Sequence, residues 1–419
     1  MQSESKVRKY LAIFALGLAG GSIYCLPYIK YILYDAQIAA MDISNTQSGM
    51  LMTMYTIGNM ILYIPGGILA DKISPKKGIT VSLLATTVVG LIYAFFPTYV
   101  MGLLAWLAFS FTSAFIFWAA LLKAVRLIGT EEQQGWIYGC YYACNGITGA
   151  LTNAIAMKAY GMAGGDVVLG FKYACIAAAI IPAIAAIMLW FLLKDGQGEE
   201  ERVDDGQGKF NFSDALKLIK NPIVWIVSIV VMIGYGFYTG SSWFTPYLTA
   251  VRGVTPEDSA AISIVRNNLL LLLAPVGGLI ADKLFHSTTK WLATAFALLA
   301  VFYVGAMMLP ASMSGTAAGL YTLLPAIVAT MMYGVIWSTM NEAGIPTKMA
   351  ATAIGIASII GYLPDSIYNL IFGQFLDKQG DAGYTSIFIF FVATAVIGVF
   401  LALVVGKMGK KNKEAHVLD

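Results

Sequence analysis

Twelve apolar stretches, each about as long as a membrane is thick, limit what this chain can become. A helix of roughly 20 residues crosses a hydrocarbon core of ~30 Å. Stretches of that length occupy residues 10–34, 47–70, 79–97, 100–125, 136–158, 171–193, 222–248, 259–281, 291–310, 315–340, 350–374 and 384–406. In lipid every backbone amide needs an internal partner, which leaves helices or closed barrels. Runs this long predict helices, so the expected fold is an all-α membrane protein of twelve transmembrane helices embedded in the lipid bilayer. Composition agrees: 58% of the 419 residues are apolar and 12% are charged, half the charged share of a soluble domain. That balance excludes a disordered chain or a nucleic-acid partner and argues against an ordinary cytosolic enzyme. Cys25, Cys140, Cys144 and Cys175 all lie inside apolar stretches and read as small packing residues rather than a disulfide framework.

Lys6, Arg8 and Lys9 precede the first apolar run. No small-residue cleavage site follows, so the run reads as a retained first span and not a signal peptide. If both termini are cytoplasmic, twenty of the 26 Lys and Arg residues fall on that side. Lys158, Lys172, Arg252 and Lys378 fall opposite, while Lys30 and Arg266 lie within spans. This positive-inside bias predicts a bacterial inner (plasma) membrane protein with N- and C-termini in the cytoplasm. Asn211-Phe212-Ser213 matches a glycosylation acceptor but would face the cytosol and stay unmodified.

The longest polar stretch, 194–221, carries Glu199-Glu200-Glu201 and Asp204-Asp205. It reads as a solvated cytoplasmic linker with a short amphipathic helix near Phe212–Ile219. The expected domains are a six-helix bundle over 1–193, this linker, and a second six-helix bundle with a cytoplasmic tail over 222–419. Gly66-Gly67-Ile68-Leu69-Ala70-Asp71-Lys72 ends the second span. Gly277-Gly278-Leu279-Ile280-Ala281-Asp282-Lys283 ends the eighth, 211 residues later. Paired glycines let helices approach closely, and an aspartate at a helix end can face a helix N-terminus or a lysine. Contacts of that kind break and reform, as a gate must. The plainer alternative is two Gly-rich helix ends with solvated caps.

The first copy, Gly67-x-Leu69-Ala70-Asp71-Lys72-x-Ser74-Pro75-Lys76-Lys77, resembles the loop 2–3 motif of the major facilitator superfamily of secondary transporters. More weakly, Glu132-Gln133-Gln134-Gly135 with Asn145-Gly146 resembles its organophosphate-antiporter and anion-symporter branches. The superfamily resemblance implies two pseudo-symmetric six-helix bundles around a central cavity lined by the first, fourth, seventh and tenth spans, rocking about a midplane site. It also implies that Gly67, Asp71, Lys72, Gly278, Asp282 and Lys283 belong to the cytoplasmic gates.

Charges inside hydrocarbon cost at least ~2.5 kcal/mol each and are functional candidates by default. Arg266 lies 16 residues before Asp282, roughly 24 Å along a straight helix. Its guanidinium suits a carboxylate, phosphate, sulfonate or nitrate, with Asn267 and Asn268 beside it. Snorkelling to the outer surface is the alternative. Asp365 lies 17 residues after Lys348, roughly 26 Å from the same end. It is a candidate partner for Arg266, a proton-coupling group, or a helix-end residue loosened by Pro364. Lys30 reads as an anion contact or a snorkelling rim residue, and Lys123 as a snorkelling one. Asp35 and Glu342, near span ends, are expected to be solvated.

Tyr24, Tyr28, Trp118, Tyr235, Tyr238 and Trp337 recur on the spans expected to line the cavity. They suit a small polar organic ligand or anchor the interface, the latter best for Trp243. Asn145 is a further binding candidate. The histidines, His286 and His416, are both expected in the cytoplasm. No Walker A, zinc-ligand, Rossmann or Ser-His-Asp spacing occurs, so no metal, cofactor or enzymatic chemistry is expected.

The expectation is a transporter: a monomer moving a small organic anion by alternating access, as a symporter coupled to H+ or Na+. Arg266 would be the principal contact and Lys30 would assist. A proton-coupled exporter of drugs or neutral metabolites is the rival reading. A nontransporting membrane sensor or a membrane-embedded enzyme is less well supported by the residues.

Overall fold

The computed structural model describes residues 6–70, 73–128, 134–193, 218–345 and 347–414, and these are helical with short connections. Asp71, Lys72, Glu132, Gln133, the Asn211 acceptor, the expected helix near Phe212 and His416 lie outside the described residues. So do the surroundings of Gly67 and Lys348.

Eight helical stretches among the described residues are long and apolar enough to cross a membrane. The last of them, Ala353–Asn412, contains the eleventh span and the twelfth. Helices Lys6–Ile23, Asn45–Ala70 and Gln134–Gly161 supply the first, second and fifth. Large apolar side chains such as Val81, Phe191, Val301 and Phe400 are exposed along the helices, as lipid-facing surfaces require.

Six spans run unbroken: Asn45–Ala70, Pro75–Phe95, Gln134–Gly161, Val167–Leu192, Thr288–Met307 and Gly383–Glu414. The other six are interrupted, and five of the breaks have a proline behind them. Proline removes one amide and clashes with the carbonyl four residues earlier. The first helix stops at Ile23, four residues before Pro27, and the chain resumes as a 3-10 turn at Ile29–Tyr31. The seventh span breaks at Ser241–Trp243 before Pro246, and the tenth at Tyr321 before Pro325. The eleventh breaks between Gly361 and Pro364. In the eighth, Pro256–Ile264 gives way to a π-turn at Val265–Leu269 and a 3-10 turn at Leu270–Leu273, just ahead of Pro275. The fourth span has no proline. Its π-turn, Phe111–Phe115, coincides with hydroxyls bonding the ladder carbonyls: Ser113 Oγ donates to Phe109 O at 2.7 Å.

Two compact units emerge. One holds Met1–Arg202 with Thr255–Leu269; the other holds Val203–Val254 with Leu270–Asp419. The eighth span is thus divided between them at Leu269/Leu270, where its π-turn meets its 3-10 turn. In the first unit, apolar clusters form around Trp106, Phe109 and Phe171, and around Phe117, Leu121 and Leu189. Trp106 also repairs the first break, donating its indole N–H to Pro27 O at 3.0 Å.

The repeated glycines make matching contacts, one in each unit. A Cβ on Gly66 would overlap the Phe115 carbonyl, and one on Gly277 the Met331 carbonyl. Gly278, by contrast, has only Val335 Cγ1 at 3.7 Å. In the second copy the close approach therefore belongs to the first glycine of the pair. Asp282 and Lys283 lie exposed on a closing π-turn, Ile280–Phe285.

Two expectations are corrected. Trp243 is not an interfacial anchor: it is 4% exposed and packs edge-on against Phe372 at 5.5 Å. Glu342 is not merely solvated. Half-buried at the end of helix Thr339–Glu342, it accepts the amide of Thr288, that of Thr289 at 2.9 Å and the Ser287 hydroxyl at 3.1 Å. It thereby caps the amino end of the ninth span. Asp35 is exposed, as expected.

Candidate functional site

The first unit buries two cations. Arg266 and Lys30 are each 2% exposed, so neither snorkels. Arg266 is the second residue of the π-turn Val265–Leu269, a geometry that concentrates at functional positions. Lys30 lies in the 3-10 turn Ile29–Tyr31 that follows the Pro27 break. Its ammonium stands 5.4 Å from the centre of the Tyr34 ring, a cation–π arrangement. The two turns are tied together, because Ser263 Oγ donates to the Tyr31 carbonyl. Asn267 Nδ2 donates in turn to Ser263 Oγ at 2.9 Å. On the other flank, Asn153 Nδ2 donates to Asn268 Oδ1 at 3.1 Å.

Half-buried aromatic rings adjoin these turns. Tyr28 packs 5.1 Å from Tyr31 and 5.7 Å from Tyr55, and the Tyr55 hydroxyl meets Ser113 Oγ at 2.8 Å. Tyr24 is also half-buried and touches both apolar clusters. Trp118 is half-buried against the cluster built on Phe117 and Leu121. Asn145 is placed differently from a bare cavity amide. Its Nδ2 donates to Tyr141 Oη at 3.1 Å, where Gly20 of the first span leaves no room for a Cβ. Lys123 is half-buried in the last turn of Phe117–Arg126.

The second unit buries a carboxylate. Asp365 is 5% exposed and stands in the first turn of helix Pro364–Gln379, where the positive end of the helix dipole favours an anion. The Tyr235 hydroxyl donates to Asp365 Oδ2 at 2.7 Å. Around it the rings of Tyr235 and Tyr362 meet edge-on at 4.7 Å, and Tyr238 stacks on Tyr333 at 4.3 Å. Trp337 lies 6.2 Å from Tyr362. Tyr235, Tyr238, Trp337 and Asp365 are thus brought into one cluster. Tyr333 and Tyr362 complete it without having been singled out by sequence. Tyr362 had a signal, three residues before Asp365; Tyr333 had none. Arg266 falls in the first unit and Asp365 in the second.

The family model of the Major Facilitator Superfamily matches residues 10–368. The chain belongs to this superfamily. It is accordingly a membrane transporter and not an enzyme. Among its relatives is inner membrane protein YqcE of Escherichia coli, 28% identical over 382 residues, covering 90% of this chain and 89% of that one. Inner membrane protein YihN, also from Escherichia coli, is 27% identical over 416 residues, covering 97% and 98%. The probable sulfoacetate transporter SauU of Cupriavidus necator is 22% identical over 410 residues, covering 90% of each. In fold, the chain is similar to a bacterial homologue of the human lysosomal transporter Spinster in an inward-facing, unoccupied conformation. The TM-score is 0.77 at 15% identity, over 98% of this chain and 99% of that one.

Proposed function

We propose that this transporter moves a small organic anion by alternating access across a bacterial inner membrane, with both termini cytoplasmic, as a symporter driven by H+ or Na+. The observation that carries this reading is the burial of Arg266 together with Lys30 in one unit, on two turns joined by the Ser263–Tyr31 hydrogen bond. Charged groups buried in a membrane-spanning segment are costly to keep from water and mark functional positions. Two cations on adjoining turns favour a passenger of negative charge. A guanidinium fork beside an ammonium fits a carboxylate, phosphonate or sulfonate head, and Tyr24 and Tyr28 offer a ring face and a hydroxyl to the rest of a small organic solute. The likeness to a probable sulfoacetate transporter supports an anion of this size. Asp365, hydrogen-bonded by Tyr235, is the group assigned to coupling, since a buried carboxylate can take up and release a proton as its surroundings change.

The same carboxylate favours a second reading. Asp365 amid Tyr235, Tyr238, Tyr333, Tyr362 and Trp337 also suits an organic cation, as a proton-coupled exporter would require. One experiment separates the two. Purified protein is melted with sulfoacetate, glycerol 3-phosphate, nitrate, a neutral sugar or tetramethylammonium, as wild type and as Arg266→Ala. The anion reading expects stabilisation by at least one organic anion, with apparent affinity weakened about tenfold to hundredfold in the variant, the worth of a charge-assisted contact. Stabilisation by the sugar or tetramethylammonium alone, indifferent to Arg266→Ala, would refute it.

A further inference from the structure

We infer that Ser263 and Asn153 are positioning residues that aim Arg266 at the anion; this rests on the reading of Arg266 as the anion contact. A π-turn is a rare insertion in a helix and concentrates at functional positions. Here the turn is held on both flanks of Arg266. One turn before it, Ser263 is 0% exposed; its hydroxyl donates to the Tyr31 carbonyl and accepts from Asn267 Nδ2. Two residues after it, Asn268 accepts from Asn153 Nδ2.

The lock extends beyond those bonds. Asn268 fits against the fifth span because Gly149 has no Cβ; one placed there would stand 2.8 Å from Asn268 Nδ2. The fifth span is fixed to the first in turn, since Thr148 Oγ1 donates to Gly17 O at 2.9 Å. Residue 263 is therefore tied to the first span and residue 268 to the fifth, Asn267 is bonded back to Ser263, and Arg266 is carried between them. The Tyr31 carbonyl that Ser263 holds belongs to the residue after Lys30, so one hydroxyl sets the spacing of both cations. Neither Ser263 nor Asn153 carries charge, and neither offers the anion more than a neutral contact. Their effect on binding is transmitted through where the guanidinium stands. A misplacement of that kind weakens a bidentate contact without removing the charge.

The test titrates sulfoacetate by thermal stabilisation against wild type, Ser263→Ala, Ser263→Thr and Asn153→Ala, each also in an Arg266→Lys background. Loss of a neutral hydrogen bond that orients a charged group is expected to weaken apparent affinity about fivefold to tenfold in Ser263→Ala and Asn153→Ala. The melting temperature without ligand is expected to fall by a few degrees for a lost buried hydrogen bond, so each variant's affinity is read against its own unliganded melt. Ser263→Thr, which keeps the hydroxyl, should restore binding. In the Arg266→Lys background, where the fork is gone, the same two substitutions should have little further effect. Equal affinities across the set, or losses of the same size in the Arg266→Lys background, would overturn the positioning role while leaving the anion site standing. If wild type gains no stability from sulfoacetate or from the other anions, the site reading itself falls, and this inference with it.

Discussion

Replacing Glu342 by glutamine takes a negative charge from the amino end of the ninth span and leaves the side chain's size unchanged. The carboxylate accepts the Thr288 and Thr289 amides and the Ser287 hydroxyl, so it serves donors that a helix start leaves without intrahelical partners. Hydrogen bonds to a charged group contribute ~1.5–3 kcal/mol each and neutral ones ~1 kcal/mol. Because the residue is half-exposed, solvent screening reduces the difference. Glutamine can keep one of the two oxygens, so a net loss of ~2 kcal/mol is expected, and ~3 kcal/mol for alanine. At ~2–4 °C per kcal/mol for a cooperative unit of this size, the glutamine variant should melt ~4–8 °C lower at pH 7. The pH dependence supplies a second arm. Burial pushes the Glu342 carboxyl up, but hydrogen bonds from Thr289, Thr288 and Ser287 outweigh it and leave the pKa below the ordinary glutamate value. A pKa lower in the folded than in the unfolded state gives stability that is whole above the unfolded value, near 4.3, and is lost as pH falls through the folded value. Melts of purified protein followed by intrinsic fluorescence should therefore show a constant gap between wild type and Glu342→Gln from pH 6 to 8, closing below about pH 4.5. A gap that is absent at pH 7, or that persists undiminished under acid, would refute the capping argument.

Gly277→Ala should lower the melting temperature well beyond Gly278→Ala, by ~1–3 kcal/mol against less than ~0.5 kcal/mol, since only the former drives a methyl into the Met331 carbonyl; equal losses would contradict the packing assignment. Asp365→Asn in proteoliposomes should keep exchange of a bound anion across the membrane but lose accumulation driven by a pH gradient, and an unchanged pH dependence of uptake would remove Asp365 from the coupling role.

The twelve spans were legible because apolar length is a local property, read without knowing any neighbour. The breaks were half-legible. Pro27, Pro246, Pro325 and Pro364 each mark one, yet Pro65 and Pro182 sit inside continuous helices. A proline shows where a helix can open, and its packing decides whether it does. Depth estimates for Arg266 and Asp365 assumed straight helices, whereas both residues stand at interruptions. Glu342 and Trp243 were misread for one reason. Proximity to a span end suggested water, while their actual partners, the amides at 288 and 289 and the Phe372 ring, come from distant segments. Ser263 and Asn153 were invisible as uncharged residues whose bonding depends on a π-turn that no spacing announces.

The repeated glycine motif joins these levels. Its two copies are 211 residues apart, and in each the first glycine presses its Cα against a backbone carbonyl two spans further on, Phe115 in one unit and Met331 in the other. Both target spans, the fourth and the tenth, are interrupted. In the fourth the contacted carbonyl lies within the π-turn itself; in the tenth it lies just ahead of the 3-10 turn Ile336–Ser338. Asp282 and Lys283, the charged end of the second copy, are exposed, and exposed charges in water contribute ~0–1 kcal/mol. Backbone contact at van der Waals distance is the stronger constraint, because a single added methyl has nowhere to go. In the second copy, then, the motif holds the eighth span against an interrupted neighbour chiefly through what glycine lacks, and only secondarily through the charges that make the motif recognisable.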